Sequence, residues 1–299
     1  MATEVLTPQA HVFVEPHDVA DTDNAPKRPH NVATSLNYWK DPGDGSPPTP
    51  IIVGRGTISN RRPTIAQPVV VTDVTGEEDK YTLDSHGFQY LRSTSNEKDF
   101  TDESKILAEY YPECEQLLKD VTGASRVKIF DHKVRRGPTQ WHGLGANNLA
   151  NRGPVTRVHV DQSYDGAEMV LRRRLPDEAD DLVTKRYQII NVWRPIKTIL
   201  KDPIAVADAT SIPDEDLVAA RSMYDSHQGE TWTLRPNAAH RFYFKYRLTP
   251  EEVLFIKCFD SDIQAKARRV PHSAFEDPEH KDQEYRQSVE VRCLVFYDH

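Results

Sequence analysis

The sequence predicts a mainly β fold with flanking helices. Three observations predict it. From about residue 126 onward, short runs rich in β-branched and aromatic residues follow one another, with turn residues between them. One earlier segment, 102–121, carries apolar residues at helical spacing. Hydrophobic residues make up 37% of the 299-residue chain and charged residues 28%, enough for a real core beneath a polar surface. A barrel or sandwich of that size fits one domain with extensions.

Residues 1 to about 50 are proline-rich and polar, and Pro42-Gly-Asp-Gly-Ser-Pro-Pro-Thr-Pro reads as loop. The expected organisation is an extended N-terminal arm, residues 1–65, packed on a single domain spanning 66–299. Strands are expected at 68–72, 80–83 and 87–91, with Gly76-Glu-Glu-Asp turning between the first two. Ile106, Leu107, Tyr110, Cys114, Leu117, Leu118 and Val121 then mark one face of a helix. Asp102 or Ser104 can cap its start, Gly123 lies past its end, and Pro112 should kink it. Further strands are expected at 127–130, 155–160, 187–196, 231–234, 242–246, 253–259 and 288–297, and a second helix at 214–224.

The net charge of -8 argues against a nucleic-acid binder or a binder of anionic membranes. No run approaches the roughly 20 apolar residues of a membrane span. The opening Met1-Ala-Thr-Glu-Val-Leu has no basic region followed by an apolar one, so a cytoplasmic setting is expected. Cys114, Cys258 and Cys293 have no CxxC spacing and read as small buried hydrophobes in a reducing compartment.

The chemistry centres on Val155-Thr-Arg-Val-His-Val-Asp-Gln-Ser. On a strand, Arg157, His159 and Asp161 share one face, and Val158 and Val160 the other. Two histidines and one carboxylate on one side of a metal leave open positions, the pattern of non-haem Fe(II) oxygenases. His280-Lys-Asp282 repeats the spacing, but in a charged loop with no strand to aim it. For the second histidine, spacing leaves His240 and His272 both open. Arg286 and Ser288 open the last strand on one face, where a guanidinium fork and a hydroxyl can grip a carboxylate, with Arg292 as the rival. Asn191, if it faces inward, can reach the metal-bound end of a co-substrate. Arg157 can hold substrate or a carboxylate. Arg172-Arg-Arg174 reads as a solvated face or, alternatively, a clamp for a carboxylated substrate. Asn37, Tyr38 and Trp39 can cover the site if the arm folds back.

Together His159-x-Asp161, His272 and Arg286-x-Ser288 resemble the iron(II)/2-oxoglutarate-dependent oxygenases. Four longer stretches resemble the fungal AsaB-type hydroxylase/desaturase group, related to the CmcJ-type protein. They are Arg157-Val-His-Val-Asp-Gln-Ser, Ile190-Asn-Val-Trp-Arg-Pro-Ile, Thr249-Pro-Glu-Glu-Val-Leu-Phe-Ile-Lys-Cys-Phe-Asp-Ser and Arg286-Gln-Ser-Val-Glu-Val-Arg. The resemblance covers roughly residues 80–299. It implies a double-stranded β-helix (jelly-roll) core. It also implies iron held by His159, Asp161 and His272, and 2-oxoglutarate held by Arg286 and Ser288. O2 would be consumed, succinate and CO2 released, and a small-molecule intermediate of secondary metabolism hydroxylated, desaturated or cyclised through a ferryl species. Arg286 follows His272 at a longer interval than is usual in that superfamily, and Pro278-Glu-His-Lys-Asp-Gln-Glu is the segment that would absorb the difference. A homodimer is compatible with this reading. The competing classes are a cupin-like metal-dependent hydrolase or isomerase, which has no need of Arg286, and a β-rich binding protein.

Overall fold

The computed structural model describes residues 29–54, 57–59, 62–145 and 148–298. Its strands in chain order are β1 (Val32–Trp39), β2 (Ile51–Val53), β3 (Ile58–Ser59), β4 (Thr64–Asp73), β5 (Phe88–Arg92) and β6 (Arg126–Arg135). There follow β7 (His159–Val160), β8 (Tyr187–Pro195), β9 (Ile204–Ala207), β10 (Leu217–Tyr224) and β11 (Gln228–Leu234). The last four are β12 (Phe242–Phe244), β13 (Glu252–Asp260), β14 (His272–Ala274) and β15 (Ser288–Phe296). The α-helices are α1 (Glu103–Lys105), α2 (Tyr111–Thr122), α3 (Tyr164–Arg174) and α4 (Ala179–Leu182).

The strands form a ten-stranded sheet, β1-β4-β12-β9-β14-β7-β11-β10-β2-β3, and a five-stranded sheet, β5-β13-β8-β15-β6. The smaller sheet is covered on both faces, which is why β8 is buried at every position. Ile189 and Trp193 join Val160, Ile204 and Val206 of the larger sheet in one apolar cluster. Their neighbours Ile190 and Val192 join Ile106, Tyr110, Cys114 and Leu118 of the helical segment in another. The period-2 alternation of one strand thus builds two cores. No helix among the described residues is long and apolar enough to cross a membrane.

Several sequence expectations are met. Asp102 caps the helix, accepting from the Ser104 amide at 2.8 Å, and Gly123 ends it at φ 70°. At the expected kink, a π-helical turn over Ile106–Tyr110 runs directly into α2. Pro112 itself falls in the first turn of α2, where its missing N–H costs little. All three cysteines are free and buried.

Others are corrected. The helix expected at 214–224 is only a 3-10 turn, Asp214–Asp216, followed by β10. Ala219 and Ala220 favour a helix locally, but pairing with β11 on one side and β2 on the other overrides that preference. The strand expected at 80–83 is a 3-10 turn at Glu78–Lys80 and then a turn in which Thr82 and Ser85 bond each other at 2.8 Å. Helix α3 was not expected. Ser163 caps it by accepting from the Gly166 amide at 2.8 Å. Gly166 is required there, because a Cβ would lie 2.1 Å from the Glu230 carbonyl oxygen. Within the segment read as an arm, β1 is a full strand of the larger sheet, paired with β4 from Val32 to Trp39. Asn37, Tyr38 and Trp39, considered as a cover for the site, belong to it.

Candidate active site

The strand expected at 155–160 shrinks to the two residues of β7, and Val158 and Val160 enter different apolar clusters. The face carrying Arg157, His159 and Asp161 survives, for all three line one cavity. Asn37 steadies this segment: its amide donates to the Thr156 carbonyl at 2.8 Å, and its carbonyl accepts from the Val158 N–H at 2.9 Å. Across the sheet, His272 on β14 pairs in register with His159 on β7, with ring centroids 4.6 Å apart. His159, Asp161 and His272 each bring one ligand atom to within 4.8 Å of the others.

The remaining atoms of these side chains are anchored. His159 Nδ1 lies 2.9 Å from the Arg157 carbonyl, and His272 Nδ1 lies 3.1 Å from the Val270 carbonyl. An Nδ1–H donated to a carbonyl leaves Nε2 with its lone pair, the form that binds a metal. Asp161 Oδ2 accepts from Asn191 Nδ2 at 2.8 Å and faces Arg292 Nε at 3.0 Å. Asp161 Oδ1 points instead toward His159 Nε2, 3.4 Å away. Burial opposes ionisation of Asp161, but Arg292 and the two imidazoles outweigh it and hold the carboxyl well below its ordinary range. Burial, reinforced by His159, lowers the His272 pKa.

Next to His159 and His272 is a narrow cavity, with about 20 Å³ of open space, lined also by Arg135, Trp193, Arg286 and Glu290. Arg286 is only 5% exposed. Its Nη1 donates to the Asp202 carbonyl at 2.9 Å, its guanidinium lies 5.4 Å from the Trp193 ring centroid, and its buried Nε has no partner. Burial, then Arg135, lowers its pKa to about 10. Ser288 is buried at the start of β15 and is not among the residues lining this cavity. Arg292, the rival clamp, is committed to Asp131, Asp161 and Glu290. Asn191 does face inward, but its amide nitrogen goes to Asp161 and, at 2.7 Å, to Glu290. The 278–284 segment is a succession of turns, as its composition predicts.

The donor set fits a divalent iron: two imidazole nitrogens and one carboxylate oxygen. His240, the other histidine open at the outset, lies in a separate chain, bonded to Tyr38 and Asp216 at 3.0 Å each. His86 and His132 bond Ser85 and Tyr111. His30, Glu279 and His280 form a second loose cluster, but His30 is turned onto Asp277 and His280 onto Tyr246, and Glu279 is exposed. Sequence reasoning missed Glu290. The alternation of β15, which places Glu290 and Arg292 on one face, is the signal that finds it.

Residues 36–296 match the family described as "Oxidoreductase/YMDC permease-like domain". The hydroxylase/desaturase efuI of Hormonema carpetanum is 35% identical, over 89% of this chain and 95% of its own length. The alpha-ketoglutarate-dependent dioxygenase tstK of Talaromyces stipitatus is 33% identical, over 88% of this chain and 96% of its own length. The chain belongs to the hydroxylase/desaturase family of iron(II)/2-oxoglutarate-dependent oxygenases. This oxygenase also shares its fold with the solved endoperoxidase NvfI, titled iron- and alpha-ketoglutarate-dependent. The TM-score is 0.76 at 22% identity, covering 89% of this chain and 98% of that one.

Proposed function

We propose that this oxygenase hydroxylates, desaturates or oxidatively cyclises a small-molecule intermediate of secondary metabolism. His159, Asp161 and His272 would hold the iron, each through the one atom its anchoring partners leave free. Arg286 would receive the far carboxylate of 2-oxoglutarate on its unpartnered Nε edge, with the Ser288 hydroxyl as a further donor. The two sheets, which take in β1, β2 and β3 from the segment expected as an arm, are read as a double-stranded β-helix, or jelly roll; residues 1–28 of that arm lie outside the described residues. The three buried free cysteines accord with a reducing, cytoplasmic setting.

The observation that carries this reading is the pairing of a three-atom donor set with a buried, under-satisfied guanidinium beside it. When bound, iron and 2-oxoglutarate supply the oxidation: O2 is reduced as 2-oxoglutarate loses CO2 to become succinate and a substrate C–H bond is oxidised. The chain's own residues do the positioning. Asn191 and Arg292 fix Asp161 by one oxygen and leave the other available. The Arg157 and Val270 carbonyls fix the two rings. Trp193 lines the Arg286 cavity, its ring 5.4 Å from the guanidinium. Seating a dicarboxylate there requires side chains around this narrow space to turn.

Anaerobic addition of Fe(II) and then 2-oxoglutarate to the apoprotein should give the weak visible charge-transfer band of their chelate. His159→Ala, Asp161→Ala and His272→Ala should each abolish it, while His280→Ala keeps it. Iron bound without a band points to a non-redox metalloenzyme. A band that survives His272→Ala overturns the ligand assignment.

A further inference from the structure

The cavity that reaches His159 and Asp161 has about 470 Å³ of open space, within the range of small-molecule sites. Ile51, Val53, Ile58, Met169 and Val170 make one wall apolar. The rest of the lining is strongly cationic, and its carboxylates are already committed. Asp131 is shared by Lys133 and Arg292. Asp161 is held by Arg292 and Asn191. Glu230 accepts from Ser163 Oγ at 2.6 Å.

Three arginines on this lining remain. Among the described residues, the side chains of Arg152, Arg173 and Arg174 make no hydrogen bond or ion pair; Arg174 has only a ring contact, 5.8 Å from the Phe130 centroid. They reach this lining from two parts of the chain, Arg152 half-buried and Arg173 and Arg174 exposed. Arg152 follows the 3-10 turn Asn148–Asn151, and Arg173 and Arg174 end α3. A favourable position at a helix C-terminus does not account for Arg152. Arg172, exposed like Arg173 and Arg174, pairs with Glu168 at 2.7 Å and Asp180 at 2.6 Å. Its two neighbours line the cavity instead. Burial and then Arg174 lower the pKa of Arg173; burial and then Arg135 and Arg292 lower that of Arg152. Arg173 is thus opposed by Arg174, and Arg152 by Arg135 and Arg292, with Asp131 offsetting both in part, and an arriving anion would relieve what remains.

We propose that the substrate is an apolar small molecule bearing a carboxylate or equivalent oxyanion, bound by Arg152, Arg173 and Arg174 at the end remote from the oxidised carbon. This rests on reading His159, Asp161 and His272 as the reaction centre. Guanidinium forks match planar oxyanions two bonds at a time. The apolar wall accepts the carbon skeleton, and the anchored end fixes which carbon reaches the centre.

The test uses two fluorescent probes with one ring system, anilinonaphthalene sulfonate and its uncharged parent phenylnaphthylamine. Each is titrated onto the full chain loaded with Zn(II) and saturating 2-oxoglutarate, so that Arg286 is occupied. The sulfonate is expected to bind about tenfold tighter than the neutral probe and to weaken with added salt. The double variant R173Q/R174Q should lose about that tenfold for the sulfonate and nothing for the neutral probe. Equal affinities in the wild-type chain, or an unchanged sulfonate affinity in the double variant, overturn the proposal. The Fe(II)/2-oxoglutarate band is read in the same proteins. If the band forms while the probes bind equally, the anionic substrate alone is rejected. If the wild-type chain gives no band, the reaction-centre reading falls and takes the proposal with it.

Discussion

Arg286 offers a test in which stability and binding should move in opposite directions. Its guanidinium is buried, and burial and Arg135 lower its pKa from the ordinary arginine range to about 10. At neutral pH the group is charged both folded and unfolded, so the full cost of that depression is felt. It corresponds to roughly 3 kcal/mol, relieved only as pH rises through the folded value near 10 and the group loses its proton. An anion seated against Nε would relieve the same strain at neutral pH. Arg286→Gln should therefore leave the ligand-free protein as stable as wild type or raise its Tm by a few degrees. It should also weaken 2-oxoglutarate binding by at least about tenfold, the value of a charge-assisted hydrogen bond or more. Differential scanning calorimetry of the apoprotein and anaerobic titration of the chelate band measure the two quantities on one sample. Arg286→Lys keeps the charge and loses the fork, so its affinity should fall between those of wild type and the glutamine variant. If Arg286→Gln instead lowers Tm and keeps full 2-oxoglutarate affinity, the Asp202 carbonyl contact is what Arg286 is for, and the clamp assignment is refuted.

Asn191→Ala removes a donor shared by Asp161 and Glu290 and should weaken iron binding about 10–100-fold. Isothermal titration should show 2-oxoglutarate affinity unchanged once iron is saturating. Gly166→Ala forces a Cβ to within 2.1 Å of the Glu230 oxygen and should cost about 1–3 kcal/mol in urea denaturation, as α3 backs away from β11. Mn(II) at a hundred times its dissociation constant should stabilise the chain by about 2.7 kcal/mol. EDTA, or His272→Ala, should abolish that gain in thermal melts.

The sequence carries the strong periodic signals. Segments β8, β13 and β15 are long, apolar and unambiguous, and each appears where its composition puts it. The amphipathic helix is legible for the same reason. What fails are segments whose identity depends on partners distant in the chain. An alanine-bearing run becomes β10 because β2 and β11 flank it. Residues 32–39, next to a proline-rich polar stretch, become β1 because β4 offers them a full ladder. At the site, His159-x-Asp161 is legible as spacing, but the choice between His240 and His272 depends on strand order. His272 lies on β14, which is beside β7, whereas β12, the strand that His240 precedes, is separated from β7 by β9 and β14. Asn191 illustrates the limit: alternation gives its face, while its partners, Asp161 and Glu290, come from chain segments that spacing alone does not bring to it.

That placement of Asp161 links the chemistry to the architecture. His159 and His272 belong to neighbouring strands of the larger sheet, so backbone register fixes the distance between them. Asp161 leaves that sheet just past β7, and the side chains that hold it come from the smaller one. Arg292 on β15 and Asn191 on β8 pair directly across the ladder and both reach Asp161 Oδ2. The candidate centre therefore spans the gap between two sheets, with the imidazoles anchored on one and the carboxylate steered from the other. A metal bound there closes a bridge that side-chain hydrogen bonds otherwise make alone. Hydrogen exchange should then slow on metal binding in the middle of β8 and β15, far in sequence from both histidines, and not in the helical layer behind them. Protection confined to β7 and β14 would mean that the smaller sheet plays no part in holding the site.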